Sequence, residues 1–430
     1  MPLSVVTPLV LLFAILGSGV WISLGLIGVG VGSLELFRNL PVDRILAQTV
    51  WNVLSAPELI ALPMFILMAE LLFRSRFVDG LFYALEPWVR RLPGGLTHTT
   101  VLGCAFFALV SGSSVATTNT IGRITLTELP KRGYDKNIVM GSLAGAGTLG
   151  FLIPPSIIMI IYGVLTQTSI IKLFAAGIIP GILLALAFMT YLAIRSSFGG
   201  TPKIEGPTGL ELWKERFRKL TVLFPILLLM TVILGSMYGG LASPSEAAAI
   251  AVGMTLVIML IERSLSLGVL SEACFSAART TSFLGLIIGA AGFLSTAMGY
   301  LALPQTVSAY VQSLELTSFQ LMLLLLMVYV VLGCFLEGMS LILMTLPVVL
   351  PLVLGAGYDK IWFGVFLILV VELAQITPPV GLNLFVIRGI TGEKMSTIIK
   401  ATIPFFLIMM FFVVFLILFP EVVTYLPSKV

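Results

Sequence analysis

Charge is scarce in this sequence. Only 10% of its 430 residues are Asp, Glu, Lys or Arg against 58% hydrophobic, and the mean hydropathy of +1.12 excludes a soluble globular domain. Histidine is rarer still: His98 stands alone, so no histidine metal site and no catalytic triad can be assembled around it, and it reads as an interfacial residue. The three cysteines, Cys104, Cys274 and Cys334, are odd in number and lie in or beside apolar runs, which gives no disulfide framework and no metal-ligand spacing. With no nucleophile and base among the apolar runs, we expect neither an enzyme nor a cofactor. The net charge of +4 does not point to nucleic acid, because the basic residues fall between apolar runs rather than on one patch. No basic region precedes the first apolar run, so Met1 to Val10 reads as a retained span rather than a cleaved signal.

What the sequence does have is a stretch that occurs twice. Gly133-Tyr134-Asp135-Lys136 recurs as Gly357-Tyr358-Asp359-Lys360, Pro154-Pro155 as Pro378-Pro379 and Ile179-Pro180 as Ile403-Pro404, all at an offset of 224 residues. In each copy a proline pair interrupts an apolar run; the ring removes a backbone donor and clashes with the preceding turn, so no continuous helix passes through. Such a break is tolerated at membrane depth only where protein or a cavity satisfies it. Broken segments at matching positions of two halves point to the substrate site of a secondary transporter.

A helix needs about 20 residues to cross the hydrocarbon, and on that measure the chain is an all-α polytopic membrane protein in two halves. The first half, 1–195, holds two short helices within 4–34, a span at 48–73, an interfacial helix at 74–92, a re-entrant hairpin at 96–131, a broken helix at 134–166 and a span at 171–195. Residues 196–219 form a hydrophilic cytoplasmic linker. The second half, 220–430, holds spans at 221–239, 244–263 and 281–300, an interfacial piece at 303–314, a second re-entrant hairpin at 318–352, a broken helix at 360–390 and a last span at 398–420. With the linker cytoplasmic, only Arg38, Arg44, Lys172, Lys360 and Lys429 of the 24 basic residues lie outside. Both termini are then periplasmic, and the odd number of crossings between equivalent points makes the repeats inverted.

Each break exposes carbonyls from one half-helix, which suit a hard cation such as sodium, and N–H groups from the next, which attract an anion. In the first half the candidates are Ser111, Gly112, Ser113, Ser114 and Asn119, facing Gly150, Pro154, Pro155 and Ser156. In the second they are Glu337, Gly338 and Ser340, facing Thr377, Pro378, Pro379, Gly381 and Asn383. Small residues such as Ser, Thr and Gly in membrane helices usually serve close packing, but a run of ten small, mostly polar residues from Ser111 to Thr120 at one tip favours a site. Arg123 is a candidate for a substrate carboxylate, weighed against an ion pair or snorkelling. Glu70, Glu246 and Glu372 also interrupt apolar runs, and Asp135 and Asp359 read as helix caps.

These motifs resemble the large membrane subunit, the DctM type, of the tripartite ATP-independent periplasmic (TRAP) transporters. The matching residues are Leu62-Pro63-Met64-Phe65, Pro93-Gly94-Gly95-Leu96, Ser111-Gly112-Ser113-Ser114-Val115-Ala116, Gly133-Tyr134-Asp135, Ile153-Pro154-Pro155-Ser156, Gly177-Ile178-Ile179-Pro180-Gly181 and Thr377-Pro378-Pro379-Val380-Gly381-Leu382-Asn383, nearly end to end. The resemblance implies a sodium-driven, elevator-type importer of the bacterial inner membrane, with scaffold and transport domains. It implies three associates: a small four-helix DctQ-type subunit, a DctP-type periplasmic binding protein and an organic anion, whether carboxylate, dicarboxylate or sialic-acid-like. By the same resemblance sodium sits where each tip meets its break, at Ser111, Gly112, Ser113, Gly150, Pro154, Gly338, Thr377, Pro378 and Gly381. The substrate then lies between the tips, near Ser114, Asn119, Arg123, Ser156, Glu337, Ser340 and Asn383. The family usually has proline where Trp21 stands and often aspartate at Glu337. The alternative is a stand-alone sodium/carboxylate symporter of similar fold that needs no binding protein.

Overall fold

The computed structural model describes residues 3–17, 20–75, 77–199, 207–336 and 338–430, and all regular structure among them is helical. That follows from composition, since a helix satisfies its backbone within one segment where no water is available. Helix α1 (Leu3–Gly17) packs on α2 (Ile22–Phe37), and α3 (Val42–Leu54) and α4 (Ala61–Phe73) follow. The stretch 48–73 is not the single span expected. A bend of 57° separates Val42–Leu54 from Pro57–Phe73, because Pro57 cannot donate back into α3.

Helix α5 (Phe77–Val89) is amphipathic, and α6 (Thr97–Ser111) with α7 (Ser114–Lys131) makes the first hairpin. The first broken helix is α8 (Lys136–Gly147), the single turn α9 (Leu149–Leu152) and α10 (Ile157–Thr166), bent by 41° at the prolines. Helix α11 (Ile170–Gly199) continues through residues 196–199, which belong to its last turn rather than to the linker; 200–206 lie outside the described residues. Next come α12 (Gly209–Leu220), α13 (Phe224–Tyr238), α14 (Pro244–Ile261) and α15 (Leu267–Tyr300). The last is one 34-residue helix, of which the expected span 281–300 is only the second part. Its first part continues because Ala273 and Ala277 face inward while Glu272 and Arg279 remain exposed. The second half closes with α16 (Leu303–Gln312), the hairpin α17 (Ser318–Gly333) and α18 (Gly338–Gly355), the broken helix α19 (Lys360–Gln375) and α20 (Leu382–Thr391), then α21 (Met395–Leu418) and α22 (Glu421–Thr424). Five of these helices are long and apolar enough to cross a membrane, eight if each bent pair counts once.

The helices form two bodies. In one, α2, α3 and α4 pack on α15, and α4 also on α14; in the other, both hairpins pack on the broken helices, α11 and α21. An arm lies beside the second body, where Arg90 donates to Glu215 at 2.7 Å and Arg216 lies over the rings of Trp88 and Trp213, zipping α5 to α12. Burial opposes ionisation of Glu215, but hydrogen bonds from Lys219 and Arg90 outweigh it and hold the carboxyl below its ordinary range. His98 is buried rather than interfacial, its ring bonded to the Pro93 carbonyl at the turn before the first hairpin.

The repeat is visible in the caps and in how the copies clasp. Asp135 accepts from the amide of Asn137, and Asp359 from those of Ile361 and Trp362. Lys136, at the start of α8, donates to Glu393 just past α20 at 2.6 Å; its counterpart Lys360, at the start of α19, reaches the Thr166 carbonyl at the end of α10. Tyr162 of α10 also donates to the Lys360 carbonyl at 2.7 Å. Each broken helix therefore begins where the other ends, so the two run antiparallel and the contact is reciprocal, as a two-fold relation requires.

Candidate site where the hairpin tips meet the helix breaks

The first tip is shorter than the polar run suggested. Helix α6 ends at Ser111, Gly112 turns left-handed at φ 53°, and Ser113 already caps α7, so Ser114 to Thr120 are helical. Ser111 Oγ lies 2.7 Å from Thr117 Oγ1, which donates to the Ser113 carbonyl at 2.8 Å. These bonds fix the turn.

Its backbone presses directly into the first break. A Cβ at Gly112 would lie 3.1 Å from the Pro155 carbonyl oxygen, and one at Gly150 would lie 2.6 Å from that of Ser113. Only glycine allows both approaches. Beyond Leu152 the chain leaves the helix at Ile153, bends through Pro154 and Pro155, which are joined by a cis peptide bond, and re-enters at Ser156, a buried cap whose hydroxyl accepts from the Met159 amide.

The second break begins where α19 stops at Gln375. Thr377 donates its hydroxyl back to the Leu373 carbonyl at 2.6 Å, and Gly381 donates its amide to the Thr377 carbonyl at 2.9 Å. Pro378 is exposed, whereas Thr377, Gly381 and Asn383 are buried. Asn383, fully buried in the first turn of α20, donates to Ser114 Oγ at 2.8 Å, so the first tip touches both breaks. The second hairpin sits on the last turns of α19: Gly333 lies against Ala374, and Gly338 against Val371 and Gln375. Glu337, expected at that tip, lies outside the described residues.

Between the tips lies a cavity of about 270 Å³. Gly112 and Ser113 line it from one side and Met339 and Ser340 from the other; Phe151, Ile157 and Gln375 come from the breaks. Helix α15 lines its open side with Thr280, Phe283, Leu284 and Ile287, of which Phe283 is exposed. Asn119 and Arg123 are not at its wall. Asn119 is half-buried further along α7 and accepts weakly from the exposed Arg123.

Several buried oxygens around the breaks have no donor: Asn383 Oδ1, Gln375 Oε1, Thr118 Oγ1 and both of Glu372. Glu372 is fully buried and points toward the Phe151 and Leu152 amides without reaching hydrogen-bond geometry. Buried acceptors without donors are costly, and oxygen is the ligand type that a hard cation takes. Of the other carboxylates in apolar runs, Glu70 pairs with Arg74 and Glu246 closes a capping box at the start of α14. Gln375 was legible as a polar residue just before a break; Thr280 and Phe283 carried no local signal.

The family model for the DctM component of the tripartite ATP-independent periplasmic transporter matches residues 8–422. The chain belongs to this family. The C4-dicarboxylate TRAP transporter large permease protein of Pseudomonas aeruginosa is 33% identical over 386 residues, 90% of either chain. The isethionate TRAP transporter permease protein DctMQ of Oleidesulfovibrio alaskensis is 30% identical over 95% of this chain, which spans 64% of that longer protein. Among solved structures, the YdaH transporter of Alcanivorax borkumensis matches with a TM-score of 0.62 and covers 96% of this chain and 97% of its own. At 15% identity it shares the fold alone. This DctM chain is thus a TRAP large permease, a multi-pass protein of the bacterial inner membrane, and the named relatives are permeases rather than enzymes.

Proposed function

We propose that this DctM permease imports a small organic anion coupled to sodium, receiving it from a periplasmic binding protein and working with a small DctQ-type membrane subunit. One observation carries the reading: the first tip contacts both breaks, through Gly112 and Gly150 on one side and the Asn383 to Ser114 bond on the other. A tip placed there senses both half-sites. The donor-free oxygens of Asn383, Gln375 and Thr118 suit sodium, with Thr377 and Gly381 shaping the second half-site. Sodium would supply a fixed positive charge beside a cavity whose described lining residues carry none, and the protein's part is to hold the tips shut around ion and anion. The relative whose name joins M and Q supports the small-subunit partner. Both termini face the periplasm in this reading, and the hairpin body moves against the α15 body as an elevator.

The experiment is uptake into proteoliposomes holding this chain and its small subunit, supplied with loaded binding protein. Sodium-dependent uptake is the expected result. Uptake without a sodium gradient, or by this chain alone from free substrate, would refute the tripartite sodium-coupled reading.

A further inference from the structure

The cavity between the tips is narrow in its chemistry. Its walls are mainly apolar, with Phe151 and Phe283 presenting rings and Ile157, Leu284 and Ile287 branched chains; the polar contributions are Ser113, Ser340, Thr280 and Gln375. No lysine, arginine or histidine is among its described lining residues, and Arg123, the nearest basic residue along α7, is exposed and bonded to Asn119. One carboxylate can be met there by hydroxyl and amide donors at the tips and by the coupling cation. Among the described lining residues a second anionic group, or a ring of hydroxyls, would have only Thr280 and Gln375 left to bond, against walls otherwise of phenyl and aliphatic carbon, and poorly paired burial is disfavoured.

We propose that the cargo is a monocarboxylate with an apolar body, branched-aliphatic or aromatic, rather than a dicarboxylate, a hydroxy-sulfonate or a sugar acid. The inference rests on the transport reading above, and it departs from the solutes that the relatives are named for. Phe283 and Phe151 set the preference by packing on the body of the cargo, while the Ser113 hydroxyl takes its carboxylate.

The test reads binding at this site directly, without the binding protein's own selectivity. The purified chain with its small subunit, in detergent with sodium, is titrated with 4-methyl-2-oxopentanoate, phenylacetate, succinate and isethionate while thermal stability is followed. The first two should bind at least about tenfold tighter than the last two, the scale on which apolar pockets discriminate. Phe283→Ser should erase that preference, and a retained sodium-induced rise in Tm shows that the variant is folded. Equal or tighter binding of succinate or isethionate overturns the inference and leaves sodium-coupled transport standing. Binding of none of the four, with the sodium effect intact, also overturns it; loss of the sodium effect in the unaltered protein overturns the transport reading itself.

Discussion

Replacing Gly150 by alanine tests whether the first tip must touch the first break. The added methyl would lie 2.6 Å from the Ser113 carbonyl oxygen and 2.9 Å from the Ser114 nitrogen. Both are backbone atoms at a helix cap, so neither can swing aside as a flexible side chain would. Overpacking of this kind costs typically about 1–3 kcal/mol, while alanine regains up to about 1 kcal/mol of helix propensity over glycine. With three backbone atoms inside 3.0 Å the clash belongs to the upper half of that range, so the net is about 1–2 kcal/mol, or roughly 5- to 30-fold in whatever equilibrium closes tip on break. If sodium binds at that contact, the sodium concentration for half-maximal thermal stabilisation should rise by that factor. Gly299→Ala is the control, since a Cβ there meets nothing within 4 Å, and its midpoint should not move. A Gly150→Ala midpoint within about twofold of the unaltered protein's, on the scale of 1.4 kcal/mol per decade, would refute the reasoning.

Asn383→Leu removes the donor to Ser114 Oγ and strands a buried hydroxyl, a loss of about 1–3 kcal/mol. Adding Ser114→Ala should recover part of it, and strict additivity in thermal unfolding would argue against the bridge. Asp359→Ala deletes a cap that accepts two amides, Asp135→Ala one that accepts a single amide; each loss should be of order 1 kcal/mol, with Asp359 the larger by Tm. The hydrogen bond and charge of Lys136 hold the Glu393 carboxyl below its ordinary range. That pair therefore contributes stability above the ordinary carboxylate pKa and loses it as pH falls through the lowered value. The Tm gap between the unaltered protein and Glu393→Gln should be steady near neutral pH and close in acid; a gap that persists there contradicts the assignment.

Much of this architecture is legible in the sequence because proline acts locally. The pairs at 154–155 and 378–379 forbid a continuous helix whatever surrounds them, and the shared offset relates the two halves. Where tertiary contacts decide, the sequence is less informative. Ser114 to Thr120 have modest helix propensity and read as a loop, yet packing against α8 and α20 keeps them helical. The first part of α15 carries Glu272 and Arg279, so hydropathy starts the span too late, although a helix can leave both exposed while Ala273 and Ala277 pack. The bond from Asn383 to Ser114 joins residues 269 apart, and no local pattern announces it. Phe283 is the plainest case: on a helix already rich in apolar residues, nothing marks the ring that lines the cavity.

The distribution of bond types says where the molecule can give. Within the hairpin body the contacts are directional and hard to slide: Lys136 to Glu393, Tyr162 to Lys360, Asn383 to Ser114, and glycines that admit backbone to backbone. Across the seam between that body and α15, no ion pair forms among the described residues. The seam instead holds the cavity at the tips and a second one of about 310 Å³ further along α15, between Ser295 and Thr296 on one side and Leu343 and Pro347 of α18 on the other. Apolar contact is non-directional, and voids forfeit dispersion on both faces. A shift of the hairpin body along α15 therefore breaks fewer specific bonds than any rearrangement inside it. That asymmetry supports the elevator reading, because the half-sites, being stapled together, would travel as one unit with whatever they hold.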